Sequence, residues 1–218
     1  MLVKRLDELR QQLMESATLV ESMVEKSIKG LAEREQPLLA EVLGQDEPRE
    51  NKLELQIEEL CIELIALYQP AAKDLRRLVT TLKMNNDLER MGDEAVNISE
   101  SSMFLIEQPP VKPLIDIPRM AEESVSMVKD SLRAFIEENV ALAKQVCERD
   151  DVVDNLGNQI LRELITYMAA DSKTIERSLH LLRIARSLER IADLSTNICE
   201  DVIYMVKGRT IKHHMATE

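Results

Sequence analysis

Residues 87–98 read DLERMGDEAVNI, and residues 187–198, one hundred positions later, read SLERIADLSTNI. Six of the twelve positions are identical, far more than unrelated segments share by chance. Apolar residues recur around these segments in steps of three and four, which is the spacing of an amphipathic α-helix. The sequence therefore predicts that one structural unit, carrying this motif on a helix, occurs twice in the chain.

The rest of the chain is also typical of helices. Aromatic residues make up only 2% of the 218 residues, which leaves little of the material from which sheets are built. Apolar side chains line one face of the first predicted helix: Leu6, Leu9, Leu13, Ala17, Val20, Val24, Ile28 and Leu31. We therefore predict an all-α protein of two tandem homologous three-helix bundles, each with a long helix, a shorter helix and the motif helix.

Prolines, glycines and capping residues predict where the helices end. We expect Pro37 to kink or interrupt the first helix, and residues 44–48 to separate it from a second helix that runs to Tyr68. The fourth helix is expected to reach Val146, and the fifth to begin near Val152.

A proline-rich segment divides the chain into two parts. Four of the seven prolines lie within residues 109–118, and no helix crosses such a segment intact. The predicted organisation is a first bundle at residues 1–108, a linker at 109–118, a second bundle at 119–208 and a polar tail at 209–218.

The repeated motif carries polar oxygens at a regular spacing. Glu89, Asp93 and Asn97 follow one another in four-residue steps, which places them on one helix face about 6 Å apart from turn to turn. The second copy keeps this spacing with Glu189, Asp193 and Asn197. Carboxylates placed this way repel each other, so the arrangement is unfavourable unless a cation compensates for their charge.

Another acidic pair precedes the second motif. Asp150 and Asp154 are four residues apart at the predicted start of the fifth helix, and we assign Glu47 and Asn51 to the matching place in the first copy. If the second and third helices of each copy pack antiparallel, both sets of oxygens converge on one cation. All these ligands are hard oxygens, which suit Mg²⁺, Mn²⁺, Ca²⁺ or iron better than a structural zinc site.

Two other interpretations are open at this point. The protein is alternatively a helical scaffold whose acids are solvated and held by neighbours such as Arg90, Arg186 and Arg190. A carboxylate-bridged metalloenzyme is the third interpretation, but ferritin-like di-iron proteins need a Glu-x-x-His pair on each of two helices. The only histidine within the predicted bundles, His180, lies nine residues before Glu189. We therefore predict no enzymatic activity.

Charge and composition limit the partners and the location. The net charge of −12 lacks the basic bias of proteins that bind nucleic acid. No apolar run approaches the roughly 20 residues of a transmembrane helix, and the amphipathic N-terminus differs from a signal peptide. Cys61, Cys147 and Cys199 lie far apart in the sequence and are expected to be reduced and buried. We expect a cytoplasmic protein.

The motif resembles that of a known family. Residues 88–93 and 187–193 resemble the paired E/D-x-x-x-D signatures of PhoU proteins, and residues 69–76, 174–182 and 197–204 fit the same family. The resemblance extends from about Leu6 to Gly208. It implies two similar three-helix bundles in an elongated protein that is often a homodimer.

The resemblance also implies a function. PhoU-type proteins bind clusters of iron, zinc, nickel, magnesium or manganese through their E/D-x-x-x-D residues, which here are Glu89, Asp93, Glu189 and Asp193, with Asp150 and Asp154 as helpers. Members act as negative regulators of phosphate uptake and phosphate-starvation signalling. The family connects the ATPase subunit of a phosphate ABC transporter to a membrane sensor histidine kinase, and these are the partners that the resemblance implies.

Overall fold

The computed structural model describes residues 2–208, with side chains from residue 4 onward, so the predicted tail at 209–218 lies outside the described residues. Within residues 2–208 the chain forms helices and no strand, which confirms the all-α prediction. The helices are α1 (Leu2–Glu33), α2 (Gln36–Glu41), α3 (Glu47–Tyr68), α4 (Ala72–Ile106), α5 (Asp116–Ile136), α6 (Val140–Ala170) and α7 (Ile175–Lys207). A 3₁₀ turn, Ser172–Thr174, precedes α7.

The break predicted at residues 44–48 is wrong. The chain turns earlier, at Arg34 (φ 58°), and Pro37 occupies the first turn of α2, where its missing N–H costs nothing. A π-helical segment, Val42–Asp46, then joins α2 to α3 without interruption. The wider π-turn lets Pro48 enter a continuous helix, because the hydrogen-bonding pattern is already shifted before the proline.

The predicted boundary between the fourth and fifth helices is also wrong. Helix α5 ends at Ile136, and Glu138 adopts a left-handed conformation (φ 51°) in the turn that follows. Asn139 then caps α6, because its side-chain oxygen accepts a hydrogen bond of 3.0 Å from the backbone N–H of Leu142. Helix α6 is therefore longer than expected, and Asp150 lies in its interior rather than at its start.

The two bundles pack through their motif helices. Helices α1, α3 and α4 form the first bundle, α5, α6 and α7 form the second, and α4 packs against α7 along its length. The two helices are antiparallel: Lys83 of α4 meets Asp201 late in α7, whereas Phe104 late in α4 stacks on His180. Because positions i and i+100 are equivalent, a pseudo-twofold axis passes near residues 92 and 192.

One apolar core runs through both bundles. It includes Met23 and Met91 from the first bundle and Met120 and Ile191 from the second, all completely buried. The proline-rich segment is fastened to this body by Lys112, which is buried and bridges the carboxylates of Asp116 and Glu163. No helix within residues 2–208 combines the length and the apolar character needed to cross a membrane.

Two helical glycines differ in how closely another side chain approaches them. A Cβ on Gly30 would lie 2.5 Å from Cδ2 of the buried Leu39, whereas a Cβ on Gly44 would meet nothing within 4 Å. Gly30→Ala should therefore lower the unfolding free energy, because overpacking costs about 1–3 kcal/mol. Gly44→Ala should raise it by about 0.5–1 kcal/mol through helix propensity.

Urea denaturation followed by circular dichroism at 222 nm measures both changes. Equal effects of the two substitutions would contradict the close packing of α2 on α1.

Candidate metal-binding site

The second copy places four carboxylates of two helices near one another. Asp150 and Asp154 of α6 face Glu189 and Asp193 of α7, and we call these four residues the second acidic cluster. Burial and repulsion by Asp193, Asp154 and Glu189 raise the pKa of Asp150 to about 6. Its Oδ1 is buried without a hydrogen-bond partner. An acidic oxygen in that state is available to a cation.

The pKa values of the two α7 residues of this cluster are also raised. Partial burial and repulsion by Asp154 raise the pKa of both Glu189 and Asp193. Arg186 and Arg190 oppose these shifts but do not cancel them. The neighbouring arginines therefore do not fully compensate for the repulsion among these carboxylates.

The first copy contains an equivalent group, built from Glu50 and Glu54 of α3 and from Glu89 and Asp93 of α4. We call it the first acidic cluster. Glu50 is only 1% exposed, and its Oε1 accepts a hydrogen bond of 2.9 Å from Ser16 Oγ. Its Oε2 is buried without a partner. Burial, together with repulsion by Glu54 and Glu89, raises the pKa of Glu50 to about 7.

These positions correct the assignment of the α3 residues. Glu50 and Glu54, rather than Glu47 and Asn51, lie beside Glu89. Glu47 and Asn51 follow from aligning the two copies by their expected helix starts, and the structure places those starts elsewhere. The offset of one hundred residues that relates the motifs pairs Glu50 with Asp150 and Glu54 with Asp154, so this signal was present in the sequence. Both copies therefore carry two acids on this helix.

The two asparagines lie one turn beyond the clusters. Asn97 is exposed and donates from Nδ2 to Glu94 Oε2 over 3.1 Å, while Asn197 is half-buried. The structure does not bring either amide into contact with the carboxylates of the clusters. Their role as oxygen ligands remains a prediction.

The arginines near the motif mostly pair elsewhere. Arg90 lies 3.5 Å from Asp87, and Arg190 lies 3.1 Å from Glu94 of the other bundle. The scaffold interpretation requires these cations to hold the acids of the clusters. The raised pKa values show that they do so incompletely.

The clusters suit a hard cation chemically but are not closed around one. Among residues 2–208, no three His, Cys, Asp or Glu side chains converge tightly enough to hold a single ion. The unpartnered oxygens of Glu50 and Asp150 supply donors of the right kind, and carboxylates on long helices reach a common ion by rotating their side chains. The residues present therefore supply donors of the kind that a hard cation takes, without converging on one position.

The structure also places two cysteines together that are distant in the sequence. Cys147 of α6 and the buried Cys199 of α7 lie near each other, so that each thiol influences the pKa of the other. This proximity lowers the pKa of Cys147 and raises that of Cys199. The sequence pattern does not predict this pair, because it depends on the register between α6 and α7.

Comparison with known proteins agrees with the repeated architecture. The PhoU domain profile matches the chain twice, at residues 13–102 and 117–202. The chain belongs to the PhoU family. The phosphate-specific transport system accessory protein PhoU homolog of Aquifex aeolicus is 43% identical over 217 residues, covering 100% of this chain and 98% of the relative. Homolog 2 of Thermotoga maritima is 35% identical, covering 97% and 90%.

Solved structures of this family have the same fold. The crystal structure of PhoU from Pseudomonas aeruginosa matches with a TM-score of 0.92 at 34% identity, covering 96% of this chain and 100% of that one. The phosphate transport system regulatory protein PhoU from Streptococcus pneumoniae matches with a TM-score of 0.88 at 26% identity, covering 97% and 100%. These matches confirm the predicted arrangement of two tandem three-helix bundles.

The buried Glu50 should make the stability of the metal-free protein depend on pH. Its pKa is about 7 in the folded chain and 4.5 ordinarily, so the folded state holds the proton more tightly. The resulting stabilisation is fully present below about pH 4.5 and is lost as the pH rises to about 7. In chelator, the unfolding free energy of the wild type should fall across this window by up to about 3 kcal/mol more than that of Glu50→Gln.

Urea titrations at several pH values between these limits measure the difference. Glu59→Gln removes an exposed carboxylate from the same helix and should keep the wild-type pH dependence. If Glu50→Gln also keeps it, the assignment of this proton to Glu50 is wrong.

Proposed function

We propose that this PhoU family member is a metal-binding negative regulator of phosphate uptake and phosphate-starvation signalling. The observation that carries the metal part is the pair of four-carboxylate clusters in equivalent places, each with a buried oxygen that has no partner. A bound cation neutralises carboxylates that otherwise repel each other across each helix pair. Iron, zinc, nickel, magnesium and manganese are the candidate ions.

The regulatory part of the proposal rests on the family. Relatives are named phosphate-specific transport system accessory proteins, and a solved relative is named a phosphate transport system regulatory protein. We propose that this chain likewise acts as a non-enzymatic, homodimeric adaptor in the cytoplasm. Its proposed partners are the ATPase subunit of a phosphate ABC transporter and a membrane sensor histidine kinase.

Each cluster holds a cation through residues of two helices in this proposal. In the second cluster, Asp150 and Asp154 bind from α6 and Glu189 and Asp193 bind from α7. A cation there would clamp the two helices together and stabilise the folded state. The side chains themselves supply charge and orientation, and the proposal assigns no reaction to them.

Removing carboxylates of one cluster should abolish cation binding at that cluster without unfolding the protein. Asp154→Asn combined with Asp193→Asn should remove the cation of the second cluster, while the metal-free melting temperature stays the same or rises because repulsion is relieved. Asp151→Asn, an exposed neighbour on α6, is the control with retained binding. Elemental analysis after stripping, reconstitution with Mn²⁺ and desalting gives the metal content.

The same samples discriminate against the scaffold alternative. A cation that binds only the folded state raises its stability by about 2.7 kcal/mol at a hundred times its Kd. A wild-type melting temperature that Mg²⁺ and Mn²⁺ leave unchanged, with no retained metal, would refute the metal part of the proposal. Turnover of oxygen or of a phosphoester by the metal-loaded protein would instead support the metalloenzyme alternative.

The adaptor role predicts physical capture of both partners. The tagged wild-type chain should retain the transporter ATPase subunit and the cytoplasmic part of the sensor kinase when the purified proteins are mixed. A tagged helical protein of similar size and net charge is the control for non-specific binding through acidic surface charge. Retention of neither partner, with or without Mg²⁺, would contradict the adaptor role and leave the metal result standing.

A further inference from the structure

A cleft of about 590 Å³ opens between α4 and α7 on one side of the pseudo-twofold axis. We call it the central cleft. Three arginines of α7 line it at one-turn intervals, Arg183, Arg186 and Arg190, and Ser101 of α4 lies opposite. Three guanidinium groups on one face are unusual on a chain with a net charge of −12. Whether these guanidinium groups can bind a ligand depends on whether neighbouring carboxylates already pair with them.

The pseudo-twofold axis provides an internal comparison. On the other side of the axis, Lys83 donates to Asp201 over 2.9 Å and lies 5.9 Å above the ring of Tyr204. The equivalent of Lys83 is Arg183, and the equivalent of Asp201 is Ser101. The position that would hold the carboxylate partner of Arg183 is therefore occupied by a serine.

Two further differences also make the cleft more positive than its counterpart. Asn86 of α4 corresponds to Arg186, and the buried Asp87 corresponds to Ser187. Relative to its symmetry-related counterpart, the central cleft has lost two carboxylates, gained one guanidinium and gained two hydroxyl groups, and it has gained one carboxylate, Glu94, where the counterpart has Leu194. Because Glu94 pairs with Arg190, the other three changes leave the surroundings of Arg183 and Arg186 more positive than those of their counterparts.

The side chains of the cleft are available. Within residues 2–208, neither Arg183 nor Arg186 has a carboxylate oxygen within 4 Å, and neither makes a hydrogen bond. Ser101 and Ser187 are 5% and 6% exposed, and their hydroxyl groups make no hydrogen bond in the same part of the chain. Arg190 differs, because it pairs with Glu94 over 3.1 Å. Two guanidinium groups and two hydroxyl groups are thus left to bind a ligand.

We propose that the central cleft binds a phosphoryl oxyanion, either inorganic phosphate or a phosphomonoester, through Arg183 and Arg186 with hydroxyl donors from Ser101 and Ser187. The planar guanidinium group matches two phosphate oxygens at once, and serine hydroxyls add further donors. Four carboxylates also line the cleft: Glu94, Glu100, Glu189 and Asp193. Glu94 is paired with Arg190, and a cation on Glu189 and Asp193 weakens the repulsion of an anion, so binding should be stronger in Mg²⁺ than in chelator. This site goes beyond the proposed function, which assigns no anion to the protein.

Equilibrium dialysis of the full chain against radiolabelled inorganic phosphate in Mg²⁺ tests the proposal. Arg186→Gln and Arg183→Gln should each weaken binding roughly tenfold or more, because each removes charge-assisted hydrogen bonds. Ser101→Asp should weaken it as much, because the new carboxylate pairs with Arg183 as Asp201 pairs with Lys83. Arg119→Gln makes the same charge change at an exposed site on α5 and should leave binding unchanged.

The possible results distinguish the two kinds of ligand and define the outcome that contradicts the proposal. Glycerol 3-phosphate, added as a competitor, displaces the label if the cleft accepts a phosphomonoester and fails to do so if it accepts inorganic phosphate alone. Either result supports the site when it depends on Arg186. Phosphate binding that is absent from the wild type, or equal in Arg186→Gln and Arg119→Gln, overturns the proposal. Unchanged metal content and circular dichroism in Arg186→Gln keep this test separate from metal binding and from folding.

Discussion

The antiparallel packing of α4 against α7 is the constraint on which the rest of the structure depends. Completely buried side chains such as Leu88, Met91, Leu188 and Ile191 occupy one side of the two motif helices. Another side of each motif helix faces the shorter helix of its own bundle. The acids of the motif lie near the acids of α3 and α6, and Glu189 and Asp193 also line the central cleft. The packing of α4 on α7 therefore places the second acidic cluster beside the contact that joins the bundles.

This arrangement lowers the stability of the isolated chain. A buried carboxylate such as Glu50, with one hydrogen bond and one unpartnered oxygen, is charged at a considerable desolvation cost. A glutamine or an apolar side chain would fill the same place with less repulsion. This desolvation cost occurs in both bundles, at Glu50 and at Asp150. In each bundle, repulsion by carboxylates of the motif helix increases it. Packing does not explain this pattern, and the proposed cation would compensate for it.

The sequence predicted the parts of this structure that depend on periodicity. The repeated motif determined the two-bundle architecture and the acids of α4 and α7. The helix ends were less predictable, because Pro48 looks like a helix start but follows a π-turn, and Asn139 caps α6 within a continuous apolar pattern. The misplaced ends then shifted the assignment from Glu50 to Glu47. The proximity of Cys147 and Cys199 depends on packing register, which local patterns do not determine.

The two copies differ most informatively where they meet. In both acidic clusters the repeat keeps four carboxylates in equivalent places, which indicates one chemical requirement fulfilled twice. Across the pseudo-twofold axis the same repeat replaces Asp201 by Ser101 and Asp87 by Ser187, so that Lys83 is paired on one side while its counterpart Arg183 has no carboxylate partner in the described part of the chain. Helix packing tolerates either set of side chains, since both sides share one continuous core. The asymmetry is therefore electrostatic, and the proposal of an anion site in the central cleft rests on it.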